Sequence, residues 1–445
     1  MKYASLRHWF PGIVITVLYL ITHVVSLTLL PVFADEAIYI RWAQLAVEDT
    51  GRYLFFALND GKTPLFIWLL SLTQLLPLDQ LWLARMVSVT IGVGQLWATA
   101  WLVKVLGGRP KTIWLSMLLV SFLPFWYFHH RMALIDSLLA LTLTLTWIGV
   151  VKIATLDKNR WRWCIWTGLW LGAALWTKVP AILAFPGLAT SLLFLRQRTA
   201  KHILKLYITL GISVVLAACL FASLRLQPAF GQLFSRGSDF LYPVSDIVQG
   251  AWQQTLPNIP TYISYFGSYF TYPLLFLLLA GLFLPRHQHR IHALWWTTLL
   301  FAAPIALMGK VVYPRYYLPA VVWMTPAVAL AAEAWWAKWI APEQTSAKPR
   351  LIRLLMAGIV LISLLGQAVA TSSVFIWTSL TDANHTPFVT ADTDQYLADW
   401  ASGHGIKQTI QLIEAQRQLG SVAVATEGSF GTLPDGLMLY YFRRD

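Results

Sequence analysis

The chain is poor in charge: Asp, Glu, Lys and Arg make up 12% of its 445 residues, against 57% apolar ones. That excludes an ordinary soluble globule, because runs approaching twenty apolar residues recur along most of its length. Cysteine is nearly missing. Cys164 and Cys219 both fall inside apolar runs, where a thiol behaves as a small hydrophobe, so no disulfide scaffold is expected. A continuous basic tract is also missing. The net charge of +13 is spread over short loops between apolar runs, which argues against nucleic acid as a partner and for membrane topology as the cause.

What is present is an all-α polytopic membrane protein. Spans are expected at about 12–30, 81–106, 112–128, 133–156, 162–177, 180–195, 204–224, 261–284, 293–309, 317–337 and 352–375, eleven in all. The apolar stretch 64–76 is short and flanked by Pro64 and Pro77, so it reads as re-entrant or interfacial. With the N-terminus in the cytoplasm, the Lys/Arg-rich loops at 104–111, 152–162, 196–205, 286–290 and 338–353 all fall on the inside. The only acids expected on that side are Asp157, Glu333 and Glu343. The triplet Val32-Phe33-Ala34 mimics a signal-peptide cleavage site, but the apolar run before it exceeds a usual signal core, so an uncleaved first helix is expected.

Residues 1–375 form the membrane domain in this reading, and 376–445 a polar extracytoplasmic segment of different character. Within it, 394–401, 406–419 and 433–442 read as helices and 421–426 (Ser-Val-Ala-Val-Ala-Thr) as a buried strand. A lone strand cannot satisfy its own backbone, so this looks like a small α/β unit that either stops early or pairs elsewhere.

The chemistry-bearing residues sit at the outer ends of the expected spans. Asp35-Glu36 follows the first apolar run; Asp35 suits a helix N-cap and equally a general base that draws a proton from an incoming hydroxyl or amine. Behind it, Ile38, Trp42 and Leu45 form an apolar helix face that would lie along the membrane surface. Lys62, in Asn-Asp-Gly-Lys-Thr-Pro-Leu (59–65), offers an ammonium beside the re-entrant segment, or simply a polar turn. In His-His-Arg-Met-Ala-Leu-Ile-Asp (129–136), Arg131 suits an interfacial anchor. Asp136 lies at the apolar start of a span, where an ionised group costs roughly 2.5–3.5 kcal/mol and asks for a partner or a function. The two histidines read as interfacial. Lys178 and Arg315 are bases on the outer side, where bases are otherwise depleted; snorkelling explains one of them more easily than the whole set. The run 287–292 (His-Gln-His-Arg-Ile-His) reads as a solvated loop.

Asp35-Glu36 after the first helix, Lys-x-Pro-Leu at 62–65, Arg85 after an amphipathic turn, the Arg131-to-Asp136 pair and Arg-Tyr-Tyr-Leu-Pro at 315–319 together resemble the GT-C membrane glycosyltransferases. The likeness runs over about 10–375 and favours the branch of the dolichyl-phosphate-mannose protein mannosyltransferases and bacterial aminoarabinose transferases. It implies that the acid of the first outer loop, here Asp35, is the catalytic base; Glu36 and Asp136 are expected beside it in the catalytic set. It also implies that Lys62 contacts a donor phosphate, although Thr63 stands where the motif has its first proline. Arg131, Lys178 and Arg315 complete the expected phosphate-binding set.

The activity implied is inverting transfer of a sugar from a polyprenyl-phosphate donor to a lipid, glycan or protein acceptor at the outer face of a bacterial or archaeal plasma membrane. No cofactor is required. Asp35, Glu36 and Asp136 could alternatively hold Mg²⁺ or Mn²⁺. Rival readings are a lipid-linked sugar transporter or flippase, which predicts charges deep in the spans and internal symmetry, and a pyrophosphate-donor oligosaccharyltransferase. Neither sugar nor acceptor is legible. Trp (23) and Tyr (17) are abundant, but serve sugar stacking and membrane belts alike.

Overall fold

The computed structural model describes residues 2–156, 160–235, 237–340, 347–428 and 431–442; Asp157 and Glu343 of the expected inner loops lie outside these. The principal helices are α1 (Lys2–Val24), α2 (Ala34–Glu48), α3 (Leu65–Ser71), α4 (Gln80–Val105), α5 (Pro110–Phe122), α6 (Pro124–His130), α7 (Ile135–Thr155), α8 (Arg160–Thr177) and α9 (Ala200–Ala222). A broken helical run, α10 (Val244–Gly281), is followed by α11 (Gln288–Met308), α12 (Pro314–Trp339), α13 (Ala347–Thr381), α14 (Ile406–Arg417) and α15 (Thr432–Tyr441).

Every expected span has a helical counterpart, but by length and apolarity seven helices among the described residues qualify to cross a membrane, or eight if the bent pair α5–α6 counts as one. The 58° bend of that pair falls at Leu123-Pro124, where proline removes a backbone donor and forces the preceding residue out of the helical region. The segment expected as a span at 180–195 is two successive 3₁₀ helices, Val179–Ala184 and Pro186–Phe194, interrupted by prolines. The tighter winding rises about 2.0 Å per residue, so this short stretch covers about 30 Å, the thickness of the apolar core, which an α-helix of equal length would not. The short apolar stretch after Pro64 is the single helix α3, trailing into exposed Leu72 and Leu75, consistent with an interfacial position.

Helices α7 and α12 form the centre of the bundle: 83% and 89% of their apolar windows are buried, against 22% for α9 and α13 at its edge. Trp147 and Trp323 meet edge to face there, ring centres 4.7 Å apart, and the Trp126 indole donates to Thr325 at 2.9 Å. The basic loops assigned to one side meet at one end of the bundle. Glu333 pairs with Arg286 at 2.7 Å, accepts from the Arg109 backbone at 3.0 Å, and lies 3.2 Å from His287. His287 is thereby tied into this cluster rather than solvated.

Two buried arginines fix the outer end of α1. Arg131 donates to the carbonyls of Thr22, His23, Val25 and Ser26 at 2.8–2.9 Å, capping the helix C-terminus. Arg85 donates to Leu27, Leu30 and Pro31 and makes a two-pronged pair with Glu36 at 2.9 and 2.7 Å. Glu36 also accepts from the Phe33 and Ala133 backbones, at 3.1 and 2.7 Å. Glu36, not Asp35, therefore caps α2, because the third helical position can reach back to the N-cap amide.

The polar C-terminal segment is helical rather than α/β. The expected helices are present as a turn at 390–398 and as α14 and α15, but 421–426 carries no strand and is exposed. Its alternating Val-Ala pattern finds no ladder partner; among the described residues the only bridges are the isolated Phe33–Ser402 and Leu241–Gly309. The segment packs on α2. Ala34 donates to the Ala401 carbonyl at 2.9 Å, Gln44 to Leu439 at 3.1 Å, and Lys407 to Thr28 at 3.0 Å.

Two outcomes are expected. Arg85→Met leaves Glu36 buried and unpaired, which should cost about 3–5 kcal/mol; thermal unfolding in detergent reads this, and adding Glu36→Leu should recover much of the loss. At Gly403 an added Cβ would collide with the Val32 carbonyl oxygen. Gly403→Ala should therefore release the C-terminal segment, seen as new proteolytic cleavage between α14 and α15 while the bundle stays resistant.

Candidate active site

Asp35 projects from the first turn of α2, oriented by Glu36 beneath it. Arg315 lies on the 3₁₀ turn Pro314–Tyr317 that opens α12, and its guanidinium meets the Asp35 carboxylate at 2.8 Å. Three rings surround that guanidinium, with Phe33, Tyr316 and Tyr313 centroids 5.0, 5.6 and 5.8 Å from its carbon. Its Nε is buried and has no partner.

A second pair lies beside the first. Asp136, in the first turn of α7, accepts from Lys178 at 2.7 Å, and the lysine ammonium also sits 4.9 Å from the Tyr316 ring centre. Lys178 follows α8, where the chain turns into the 3₁₀ stretch through Pro180. Lys62 is presented by a tight turn whose Gly61 has a φ of 70°, a conformation that favours glycine, and its ammonium is 3.8 Å from Asp60. Thr63, in place of the motif's proline, is buried with an unpartnered hydroxyl.

Asp35, Lys62, Asp136, Lys178 and Arg315 all line one cavity of about 500 Å³. Ile182, Leu183, Phe301, Ile305 and Val312 contribute apolar lining to the same cavity. The loop after α9 reaches it through Leu233 and Phe240, held by backbone bonds from Tyr242 to Met308 (2.8 Å) and from Lys310 to Phe240 (2.9 Å). Burial pushes the Asp35 carboxyl up, but Arg315 above all, with Lys62 and Lys178, outweighs that and holds it below the usual carboxylate range.

Two of the expected site residues are elsewhere. Glu36 is fully buried and spends its oxygens on Arg85 and two backbone amides, so it holds α2 rather than facing the cavity. Arg131 is spent on the end of α1 and cannot reach a phosphate in the cavity. The carboxylate trio Asp35, Glu36 and Asp136 consequently does not converge on a metal, and among the described residues no group of three or more His, Cys, Asp or Glu is placed to hold one. His129 and His130 are buried inside the bundle rather than interfacial. Sequence reasoning missed Gln395, Trp400 and Ala401, which bring the C-terminal segment into the cavity lining. They carry no periodicity or motif that would have marked them.

Residues 54–230 match the model of the dolichyl-phosphate-mannose-protein mannosyltransferase family. Among curated protein sequences none matches the chain. Among solved structures, ArnT from Cupriavidus metallidurans bound to undecaprenyl phosphate is similar with a TM-score of 0.61 at 14% identity, over 96% of this chain and 84% of that one. The oligosaccharyltransferase of Archaeoglobus fulgidus, tethered with an acceptor peptide, is similar with a TM-score of 0.53 at 13% identity, over 84% of this chain. The chain spans about half of the length of that archaeal enzyme, 55%. The protein is thus a polytopic membrane protein with the fold of the GT-C glycosyltransferases, and its residues 54–230 match the dolichyl-phosphate-mannose-protein mannosyltransferase family.

Proposed function

We propose that the protein transfers a sugar, with inversion, from a polyprenyl-phosphate donor to an acceptor at the extracytoplasmic face of the membrane, with Asp35 as general base. The observation that carries this reading is the joining of three carboxylates (Asp35, Asp60 and Asp136), three cations and an apolar wall in one cavity of about 500 Å³. Such a cavity suits a ligand that is charged at one end and greasy at the other. The undecaprenyl phosphate bound to the similar ArnT is a ligand of that kind. The site lies on the side opposite the basic loops, which the charge rule assigns to the cytoplasm.

In this reading the prenyl chain lies along Ile182, Phe301 and Ile305, and the phosphate is held by Arg315, Lys178 and Lys62. The acceptor oxygen or nitrogen attacks the anomeric carbon from the face opposite the phosphate. A bond to the acceptor forms, the bond from the anomeric carbon to the phosphate oxygen breaks, and the acceptor's proton passes to Asp35. Polyprenyl phosphate leaves with the bonding electrons. Before the donor arrives, Arg315 is engaged with Asp35 and Lys178 with Asp136. As negative charge grows on the leaving phosphate, both cations are drawn to it, and the Asp35 carboxylate becomes a stronger base at the moment a proton must be taken. Asp136 then serves to position Lys178.

The test is release of polyprenyl phosphate from a panel of polyprenyl-phosphate sugars by the purified protein in lipid, with saccharide, lipid and Ser/Thr-peptide acceptors supplied. Asp35→Asn should reduce release by about 10²–10⁴-fold without loss of folded protein; unchanged release removes Asp35 as base, and no release by the wild type with any donor favours a transporter. The pH dependence has a defined sign. Asp35 must be ionised to act, and Arg315 holds its carboxyl low. The wild-type kcat/KM should therefore stay level through neutral pH and fall only in acid, below the ordinary aspartate value of about 3.9. Arg315→Gln removes the main influence holding that carboxyl down, so its acid limb should move to higher pH.

A further inference from the structure

We infer that the C-terminal segment builds the acceptor subsite, and that the acceptor is a saccharide stacked on the Trp400 indole and hydrogen-bonded to Gln395. This rests on the transferase reading above and deepens it. Trp400 lines the cavity yet is 74% exposed, on a turn that is fixed from both sides. Asp399 donates its backbone N–H to Asp394 at 2.8 Å and accepts the Trp400 N–H on its carboxylate at 2.7 Å. The next carbonyl, that of Ala401, accepts from Ala34 at 2.9 Å and from the Thr432 hydroxyl at 3.2 Å. A large ring held out on a rigid backbone adds little to folding, but it presents a preformed apolar face at no further ordering cost.

Gln395 supplies the polar half. It is only 8% exposed and lines the same cavity. Its amide lies within hydrogen-bonding reach of the Tyr313 phenol, while its Oε1 is buried without a partner. A buried acceptor left unpaired is unfavourable unless something donates to it, and a ligand hydroxyl is the donor this cavity can admit.

Placement separates acceptor from donor. Ala401 is bonded to Ala34, the neighbour of Asp35, so Trp400 stands on the side of the group that must touch the nucleophile. Ile182, 53% exposed on the 3₁₀ stretch, belongs to the apolar lining that a prenyl chain would follow. An aromatic face takes the C–H face of a sugar ring, and an amide oxygen takes one of its hydroxyls. A serine or threonine side chain in an extended peptide offers no ring to stack.

The test uses the full-length protein in lipid with whichever polyprenyl-phosphate sugar it cleaves. Acceptors are glucosamine-, mannose- and galactose-based oligosaccharides and a Ser/Thr-rich peptide. The expected result is transfer to a saccharide. Trp400→Ala should raise KM for that acceptor about tenfold, and Gln395→Ala at least about fivefold. For both, kcat should stay within about twofold and polyprenyl-phosphate binding should be unchanged, and Trp400→Phe should retain most of the affinity. Direct binding of the same oligosaccharide to protein without donor should weaken in parallel. A KM within about twofold of wild type in both alanine variants, or transfer to the peptide alone, would overturn the inference while leaving the transferase reading intact. A wild type that cleaves no donor overturns the transferase reading and the inference with it.

Discussion

The site depends on one buried ion pair. Glu36 and Arg85 meet with two short bonds in a region closed to water, and the remaining capacity of both is taken by backbone groups of the loop after α1, the start of α2 and the approach to α7. A buried pair of this sort adds little net stability, but removing one member leaves a stranded charge. Its effect is to fix geometry. With the first turn of α2 pinned at Glu36, the preceding residue has a single place to project, and that place is the cavity.

The same low-dielectric setting governs the cavity's own charges. Asp35 with Arg315 and Asp136 with Lys178 satisfy each other within the site, so neither carboxylate is stranded there. In the proposed reaction both pairs exchange, since the donor phosphate would compete for the same cations. Tyr316 lies against both Arg315 and Lys178. The two cations thus share one aromatic ring as a neighbour.

Much of this was legible in the residues. The order of Asp35, Lys62, Asp136, Lys178 and Arg315 at the outer ends of apolar runs was enough to expect their convergence, because a bilayer confines helix ends to two planes. Glu36 and Arg131 carry the same signature of charge beside an apolar run, yet serve α2 and α1. Sequence does not distinguish a carboxylate that faces a cavity from one that faces a buried guanidinium one helix away. The stretch at 180–195 was expected as a span, but its 3₁₀ winding, which the prolines favour, was not read. The strand expected at 421–426 followed local alternation alone, and alternation without a neighbouring ladder specifies nothing. Gln395 and Trp400 were invisible because their importance comes from the docking of the C-terminal segment on α2.

That docking has a temporal consequence. Asp35 is synthesised well before Arg315, and the turn carrying Trp400 comes later still. One wall of the pocket is joined by the backbone bond from Ala34 to Ala401, between segments far apart in the sequence. A nascent protein therefore holds an incomplete pocket until the turn carrying Trp400 has been made.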